Sequence, residues 1–347
     1  MYHLTKEESE RIRIIKFIAI IFIVYLHSYT TEVNFSDGVN TVYFPVWLWI
    51  FEEGISQVVS RCGVPVFFLI SSILLFKSDQ SYCNVVRKKA KTLLLPYLIW
   101  NTFWIAVFII LQSLPFTTVY FSGNNTPILQ CSLTQWFGLY GIGQEYPHCY
   151  PLWFMRDLMA VILVFPIIKA AVNRCPRIMA GLGIILTVMP FSFYGKTALA
   201  WFIIGAAIVR MQIHITIFDH VSVLKISTIY LLGLAVSLLI NTSILRNIFI
   251  LVGLVFWIRL SKEIYHNENI RKKLLRLSKY TFIIYVLHEL TLSSVRKVCI
   301  RVFPTTPGWL FSEYMLIPVF IITGCILAGI AFKKIIPGMY MLSTGGR

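Results

Sequence analysis

Apolar segments of membrane-spanning length recur along the whole chain and alternate with short polar segments. A helix needs about 20 mostly apolar residues to cross the hydrocarbon core of a bilayer. Because every backbone N–H and C=O group must find a partner there, only helices and closed barrels cross. The segments here are continuous apolar runs, and only 13% of the residues are charged, against about 25% in soluble domains. The sequence therefore predicts an all-α polytopic membrane protein.

About ten transmembrane helices account for these segments, with both termini on the cytoplasmic side. The aromatic stretch at residues 43–51 (YFPVWLWIF) is too short to span, so we expect an interfacial or re-entrant helix on the outer side, ended by Glu52 and Glu53. Residues 114–150 form the one sizeable extracytoplasmic loop in this layout. The approximate helix bounds are 12–31, 61–76, 93–113, 151–168, 178–194, 197–211, 222–241, 244–260, 279–295 and 311–333.

The distribution of charge agrees with this layout. The chain has 31 Lys and Arg against 15 Asp and Glu, a net charge of +16. The layout places roughly 24 of the cations inside and roughly 7 outside, as positive-inside topology requires, and Arg296, Lys297 and Arg301 are the exceptions. Nucleic-acid binding needs cations on a soluble face, whereas these lie between membrane segments. We therefore expect membrane lipid around the chain and no nucleic-acid partner.

The chain is expected to be a single integral membrane domain over residues 1–347, with no fused soluble domain. Ten polar residues precede the first apolar segment and no small-residue cleavage site follows it, so we expect a retained helix and not a signal peptide. The seven cysteines follow no zinc or CxxC spacing, so no metal site is predicted. Cys131 and Cys149 fall in the same predicted outer loop, either as a disulfide or as free thiols.

The first helix carries two ionisable groups on one face. Lys16 and His27 are separated by three helical turns plus roughly 20°, or about 16 Å along the axis. A neutral imidazole accepts a proton from a hydroxyl near neutral pH, so His27 is a candidate general base. The alternative is an interfacial histidine that only bonds a neighbour. Arg13 falls within roughly 40° of the same face, whereas Arg11 falls on the opposite face and is expected to be an ordinary positive-inside anchor.

Other ionisable side chains in predicted helices are functional candidates, since charge is costly in a membrane. Arg61, at the head of the second helix, either reaches the lipid head groups or contributes to a site. Arg156 and Asp157 are interpreted as an ion pair that orients the fourth helix. His288, beside Glu289, is expected to pack or to form a structural hydrogen bond.

Basic and aromatic clusters each allow two interpretations. The predicted cytoplasmic loop with Arg87, Lys88, Lys89 and Lys91 sets the topology, and it also suits an anionic ligand such as a phosphate. Trp153 and the aromatic stretch at 43–51 are typical of interfacial belts, and a sugar-stacking platform is the alternative.

Five short patterns occur in order along nearly the whole chain. They are Lys16 and His27 with ten residues between; Arg61, Pro65, Phe67, Phe68, Ser71 and Ser72; Arg87, Lys88, Lys89 and Lys91 before Pro96 and Tyr97; Leu152, Trp153 and Phe154; and Ser278, Phe282, Tyr285 and His288. With these patterns the chain resembles the acyltransferase 3 family of integral membrane acyltransferases, which includes polysaccharide and O-antigen O-acetyltransferases. It departs from the family pattern at Ser72, where glycine is usual, at Lys16, where arginine is common, and at Arg13, where an acid is common.

The resemblance implies transfer of an acyl group, most often acetyl, from cytoplasmic acyl-CoA to a hydroxyl of a surface or lipid-linked glycan. It implies an enzyme of the cell inner membrane that uses acetyl-CoA as donor substrate and no bound cofactor. The expected catalytic residues are His27, as base or acyl relay, and Lys16.

The substrate and donor sites are expected elsewhere on the chain. Arg61, Ser71 and Trp153 are expected to bind the acceptor, and Arg87, Lys88, Lys89 and Lys91 to bind acyl-CoA. Acetyl and succinyl donors both remain open. The alternatives are an exporter or flippase of a lipid-linked glycan, without acyl chemistry, and an anchoring or sensing module of a larger complex.

Overall fold

Helices make up almost all of the structure, as the sequence predicts. The structure, a computed structural model, describes residues 2–28, 32–35, 38–41, 44–78, 80–117 and 127–346. A short antiparallel hairpin of Glu32–Phe35 (β1) and Gly38–Thr41 (β2) follows the first predicted helix. The α-helices are α1 Lys6–Ser28, α2 Val46–Glu52, α3 Gly63–Phe76, α4 Tyr82–Lys89, α5 Leu95–Ser113, α6 Leu133–Leu139, α7 Trp153–Leu163, α8 Phe165–Arg174, α9 Pro176–Val188, α10 Lys196–Arg210, α11 Val223–Ile240, α12 Ser243–His266, α13 Glu268–Leu277, α14 Thr281–Val302, α15 Pro307–Ile335 and α16 Pro337–Thr344.

Two long helical stretches join segments that the sequence analysis separates. A π-helical segment, Glu53–Val59, and a 3-10 turn, Ser60–Cys62, connect α2 to α3, so Glu52 and Glu53 do not end a short interfacial helix. The helix continues because the charge of Glu53 is compensated: Arg246 donates to its carboxylate. A second π-helical segment, Ala90–Leu94, joins α4 to α5, so the basic residues from Arg87 to Lys91 are helical and not in a loop.

The predicted helix at residues 151–168 is broken. Its two parts, α7 and α8, are bent by 64° with Val164 between them. Pro166 lacks an N–H group and clashes with the carbonyl four residues earlier, so it is accommodated at the start of a new helix. Between the predicted helices at 244–260 and 279–295, residues 268–277 form α13, an amphipathic helix whose charged side chains are mostly exposed.

Among the described residues, five helical stretches are long and apolar enough to cross a membrane, or six if the bent pair counts as one span. The five are Val46–Phe76, Tyr82–Ser113, Val223–Ile240, Ser243–His266 and Pro307–Ile335. Helix α1 is not among them, and it carries the cations Arg11, Arg13 and Lys16. The chain is a multi-pass membrane protein, while the count of ten spans and the cytoplasmic position of both termini stay predictions.

The described residues group into two compact units. The first comprises residues 1–26, 53–88 and 157–281, and α10 lies in its interior, against α3 on one side and α9 on the other. At the first crossing, Ser72 Oγ donates to the Phe202 carbonyl at 2.6 Å, and a Cβ added to Gly205 would lie 2.6 Å from the Ser72 Cβ. The side chain at position 72 therefore bonds the neighbouring helix, and the glycine on α10 permits the close approach.

Arg11 is buried in this unit, so its interpretation as a membrane-surface anchor is wrong. Its side chain has no exposed area, and both terminal nitrogens donate to Asp219 at 2.8 Å. It also donates to Ser261 Oγ and to the Ile258 carbonyl, each at 3.0 Å. The helical face opposite Lys16 points into protein, where the paired guanidinium fixes α1 to its neighbours. Arg13, by contrast, is exposed.

The second unit comprises residues 27–52, 89–156 and 282–347. In it the indole nitrogens of two tryptophans on α5 bond neighbouring segments: Trp100 donates to the Ser343 carbonyl at 3.0 Å and Trp104 to the Val286 carbonyl at 2.8 Å. Gly345, with φ of +66°, lies so close to Thr92 that an added Cβ would be 2.7 Å from its carbonyl oxygen. These contacts hold α14 and the end of the chain against α5.

Candidate active site

His27 lies in the last turn of α1, where the second unit brings two other rings against it. The ring centroids of His27 and His288 are 5.4 Å apart with a tilt of 52°, and the edge of His27 meets Tyr150 at 5.4 Å. His288 is buried, whereas His27 is partly exposed. Two imidazoles and a phenol therefore meet at the end of the first helix.

The hydrogen bonds of His288 determine which of its nitrogens carries the proton. Its Nδ1 lies 2.9 Å from the Ile284 carbonyl and 3.0 Å from the Tyr285 carbonyl. Carbonyl oxygens only accept, so the proton is on Nδ1. In the neutral ring Nε2 is then an acceptor, and among the described residues this buried atom has no hydrogen-bond partner. The sequence analysis expects a structural histidine, and the bonds at Nδ1 fit that interpretation, but they leave a proton acceptor at Nε2.

The segment that carries Tyr150 is fixed by polar contacts from three helices of the same unit. Tyr97 donates to the Tyr140 carbonyl at 2.6 Å, and Asn101 Oδ1 accepts from the Cys149 amide at 3.2 Å. Arg156 donates to the backbone carbonyls of Gly141, Gln144 and Glu145 at 2.8–3.4 Å. Tyr285 on α14, one turn before His288, donates to the Pro151 carbonyl at 2.7 Å. The segment that carries Tyr150 is therefore fixed beside His27 by residues of α5, α7 and α14.

Two titratable side chains of this loop, His148 and Tyr146, have shifted pKa values. Burial lowers the pKa of the His148 imidazole to about 4, and its ring packs edge-on against Phe108 at 4.7 Å. A hydrogen bond with Glu145, followed by burial, raises the pKa of Tyr146, whose ring lies 4.6 Å from Tyr150. At neutral pH these side chains are an uncharged imidazole and an uncharged phenol, which suits binding of a neutral, hydroxyl-rich molecule.

Buried charged groups lie close to the end of α1. Arg296 on α14 donates to the carbonyl of Ser28, the residue after His27. Glu52 is fully buried and, within the described part of the chain, neither of its carboxylate oxygens has a hydrogen-bond partner. Arg296 is one of the three cations that the predicted topology places outside, against the positive-inside rule. That exception is the feature of the sequence that could have identified it as a site residue. Nothing in the sequence indicated Tyr150 or Glu52.

Five predicted site residues lie in the first unit. Lys16 is partly buried on α1, which runs without interruption from Lys6 to Ser28 and so confirms the helix that Lys16 and His27 share. Arg61 is exposed and donates to Gln57 Oε1 at 3.2 Å, while Ser71 is partly buried on α3. Arg87 and Lys88 are exposed on α4.

The remaining predicted site residues lie in the second unit with His27. Trp153 is the first residue of α7 and is partly buried. Lys89 is partly buried at the end of α4, and Lys91 is exposed in the π-helical segment that follows. Their roles, like those in the first unit, stay predictions.

The cysteines and acidic residues do not form a metal centre in the described ranges. No group of three or more His, Cys, Asp or Glu side chains there is arranged to hold a metal ion. No disulfide joins Cys131 and Cys149 in the structure.

Comparison with known proteins identifies the family. A family model described as an acyltransferase domain matches residues 10–332. The succinoglycan biosynthesis protein ExoH of Rhizobium meliloti (strain 1021) is 33% identical over 176 residues, which are 49% of this chain and 45% of that protein. The match thus spans about half the length of that relative, and no solved structure matches the chain. Since the family model covers nearly the whole chain, from before Lys16 to beyond His288, the chain belongs to the acyltransferase 3 family.

Proposed function

We propose that the chain is an O-acyltransferase that moves an acyl group from acyl-CoA to a hydroxyl of a cell-surface or lipid-linked glycan. The observation that carries the proposal is the pairing of His27 with His288 in a member of an acyltransferase family. Acyl transfer to a hydroxyl needs a group that removes the hydroxyl proton, and imidazole is suited to this near neutral pH.

His27 is the group that meets the acceptor. In the direct route, one of its ring nitrogens takes the proton of the acceptor hydroxyl while that oxygen attacks the thioester carbonyl. The C–S bond breaks, the new ester forms, and the CoA thiolate receives the proton that His27 holds. In the relay route, a neutral ring nitrogen of His27 attacks the thioester carbonyl, the C–S bond breaks and the CoA thiolate leaves. The acceptor hydroxyl then attacks the acyl group on His27, the C–N bond breaks, and the hydroxyl proton ends on the CoA thiolate.

His288 and Tyr150 support His27 in either route. The Nε2 atom of His288 is an acceptor toward which a proton on His27 can move, because its Nδ1 proton is held by backbone carbonyls. Tyr150 packs edge-on against the His27 ring and limits its rotation. This arrangement resembles the general pattern of a catalytic base oriented by a second group.

The other predicted residues bind the two substrates. Arg87, Lys88 and Lys91 are exposed cations, and with Lys89 they suit the phosphates of a polyanionic donor. Lys16, on the same helix as His27, carries charge toward the donor side. Arg61, Ser71 and Trp153 are assigned to the acceptor, with Arg61 orienting it or stabilising the oxyanion that develops on the carbonyl.

A polysaccharide acceptor is supported by the relative, whose name places it in succinoglycan biosynthesis. Acetyl-CoA is the first donor to test and succinyl-CoA the second. The inner membrane is the proposed location, because there a cytoplasmic donor and an outward-facing glycan are both accessible.

Transfer of labelled acyl groups to glycan in isolated membranes tests the proposal. We expect His27→Ala to lower transfer by about 10²–10⁴-fold, the usual contribution of general acid–base catalysis. His266→Ala is the matched control, because His266 is an exposed histidine that bonds only within its own helix, and it is expected to leave transfer unchanged. Full transfer by a membrane-inserted His27→Ala protein would contradict the catalytic assignment.

The same assay separates the mechanisms. With labelled donor and no acceptor, intact-protein mass spectrometry at neutral pH is expected to find label on the wild-type protein only if His27 is acylated, and never on His27→Gln. An exporter or flippase would move glycan across vesicles without consuming acyl-CoA, so wild-type membranes that transport glycan but incorporate no label would exclude the proposed function.

A further inference from the structure

A buried arginine on α14 holds the end of the helix that carries His27. Arg296 is 4% exposed, and its guanidinium donates to the carbonyl of Ser28, the last residue of α1. The last carbonyls of a helix have no donor within the helix. The guanidinium therefore supplies a hydrogen bond that α1 cannot form by itself, one residue after His27.

The same helix also carries the histidine that meets His27. His288 and Arg296 are eight residues apart on α14, or about 12 Å along its axis. The His288 ring lies 5.4 Å from the His27 ring, and Arg296 bonds the carbonyl of the residue that follows His27. Helix α14 thus contacts the last turn of α1 at two points. The contact of Arg296 limits how far His27 can move away from His288.

Two buried carboxylates provide the countercharge for Arg296. Glu52, the last residue of α2, is fully buried, and Glu313 on α15 is 7% exposed. Both act electrostatically on the guanidinium. One oxygen of Glu313 accepts from Trp309 of the same helix at 2.7 Å. A buried guanidinium is costly unless opposite charge lies near it, so these carboxylates compensate the charge of Arg296 inside the protein.

Aromatic packing fixes the two carboxylates in place. The ring of Phe51, the residue before Glu52, packs against two rings of α15. It lies 5.2 Å from Phe311 and 6.1 Å from Tyr314, the residue after Glu313. The carboxylates are therefore held where α2 meets α15. Because these countercharges have fixed places, the guanidinium between them has one as well.

We propose that Arg296 is a positioning residue for His27: by holding the Ser28 carbonyl, it keeps the His27 ring against His288. This role rests on the proposed function, in which His27 meets the acceptor. Arg296 contacts the backbone of α1 and acts on the reaction only through His27. Its removal therefore slows acyl transfer and leaves the binding of acyl-CoA as it is.

Kinetics of acyl transfer in isolated membranes test the proposal. Arg296→Met is expected to lower kcat by about 10²-fold, the loss that a displacement of about 1 Å causes, with an unchanged KM for acyl-CoA. Arg296→Lys keeps the charge and a donor, so it is expected to restore part of kcat. Arg301→Met is the matched control, because Arg301 is an exposed arginine near the end of the same helix, and it is expected to leave kcat unchanged.

Two further measurements separate positioning from a purely structural role. In the His27→Ala background, Arg296→Met is expected to cause no further loss, because residues that act as a unit are non-additive. An equal fold-loss in both backgrounds overturns the proposal. Diethyl pyrocarbonate modifies imidazole, and mass spectrometry follows its reaction with His27 relative to the exposed His266. This relative rate is expected to rise about tenfold in Arg296→Met, since a helix end that is no longer held opens more often.

A charge-matched variant covers a loss of folding. If Arg296→Met lowers the thermal midpoint, Arg296→Met combined with Glu52→Gln replaces it, because removing one cation and one carboxylate keeps the net charge of the cluster. A wild-type kcat in that variant, or a wild-type rate of His27 modification, overturns the proposal. If wild-type membranes incorporate no label, the proposed function fails, and the modification rate alone then decides whether Arg296 positions His27.

Discussion

The guanidinium of Arg11 has a different role from the one that the positive-inside rule assigns to it. The positive-inside rule assigns cations to a side of the membrane and says nothing of their partners. Helical phase correctly separates Arg11 from Lys16 and Arg13, but the face opposite Lys16 is the one that meets protein. There Arg11 forms two hydrogen bonds with Asp219, a residue far along the chain. A single sequence does not reveal such a pairing.

Removal of this guanidinium leaves Asp219 without its partner. We expect Arg11→Met to lower the free energy of unfolding by about 3–5 kcal/mol, the usual cost of breaking a buried ion pair from one side. Arg11→Lys keeps the charge but loses the two-pronged geometry, so an intermediate loss is expected. Arg13→Met, at an exposed position two residues away, is the control and is expected to change stability by less than about 0.5 kcal/mol. Thermal and urea unfolding in mild detergent measure this, and equal midpoints for Arg11→Met and Arg13→Met would contradict the structural role.

The centre of each helix was easier to predict than its ends and breaks. Apolar runs located the spans from Val223 to His266 closely, because their length and hydropathy are local properties. The break at Pro166 lies within an apolar run, so hydropathy gave no indication of it although the proline was visible. At the continuation through Glu53, the carboxylate accepts from Arg246, a residue from a distant helix. Local sequence therefore specifies where helices form, whereas the pairing of buried charges and the bends between helices depend on tertiary contacts.

Two glycines on α9 test how closely α9 and α10 approach each other. One lies at the contact, and the other is a control on the same helix. A Cβ added to Gly183 would lie 2.6 Å from Ile204 Cγ1 and 2.9 Å from the Ala200 carbonyl oxygen of α10, and a backbone atom does not give way. Gly183→Ala is therefore expected to cost about 1–3 kcal/mol as overpacking. Gly181, two residues earlier and on the other face of the helix, has no atom within 4 Å of its added Cβ.

Gly181→Ala is accordingly expected to stabilise the helix by up to about 1 kcal/mol, because alanine loses less backbone entropy. The difference between the thermal midpoints of the two variants, each in the same detergent, measures the contact. Similar midpoints for both would mean that α9 and α10 do not approach as closely as the structure has them.

For the whole molecule, the sequence predicted the class of the protein and part of its site. The apolar composition and the family patterns led to a membrane acyltransferase, and His27 was singled out from its position in an apolar helix. Its partners were not found, because Tyr150 and His288 reach it only through tertiary contacts from other segments. His288 alone is a histidine in an apolar helix, and such a residue more often has a structural role.

The membrane topology makes a prediction that two native thiols test. Cys83 is exposed on α4, beside the basic residues that the positive-inside rule places in the cytoplasm, whereas Cys131 lies in the predicted outer loop. A charged maleimide does not cross a bilayer. In right-side-out membrane vesicles, we expect it to modify a variant that keeps only Cys131, and to modify a variant that keeps only Cys83 after permeabilisation alone. The reagent added to permeabilised vesicles is the control, because it then reaches both sides of the membrane and neither cysteine is in a disulfide. Modification of Cys83 before permeabilisation, with Cys131 protected, would reverse the orientation and place the α4 cations on the side of the membrane away from cytoplasmic acyl-CoA.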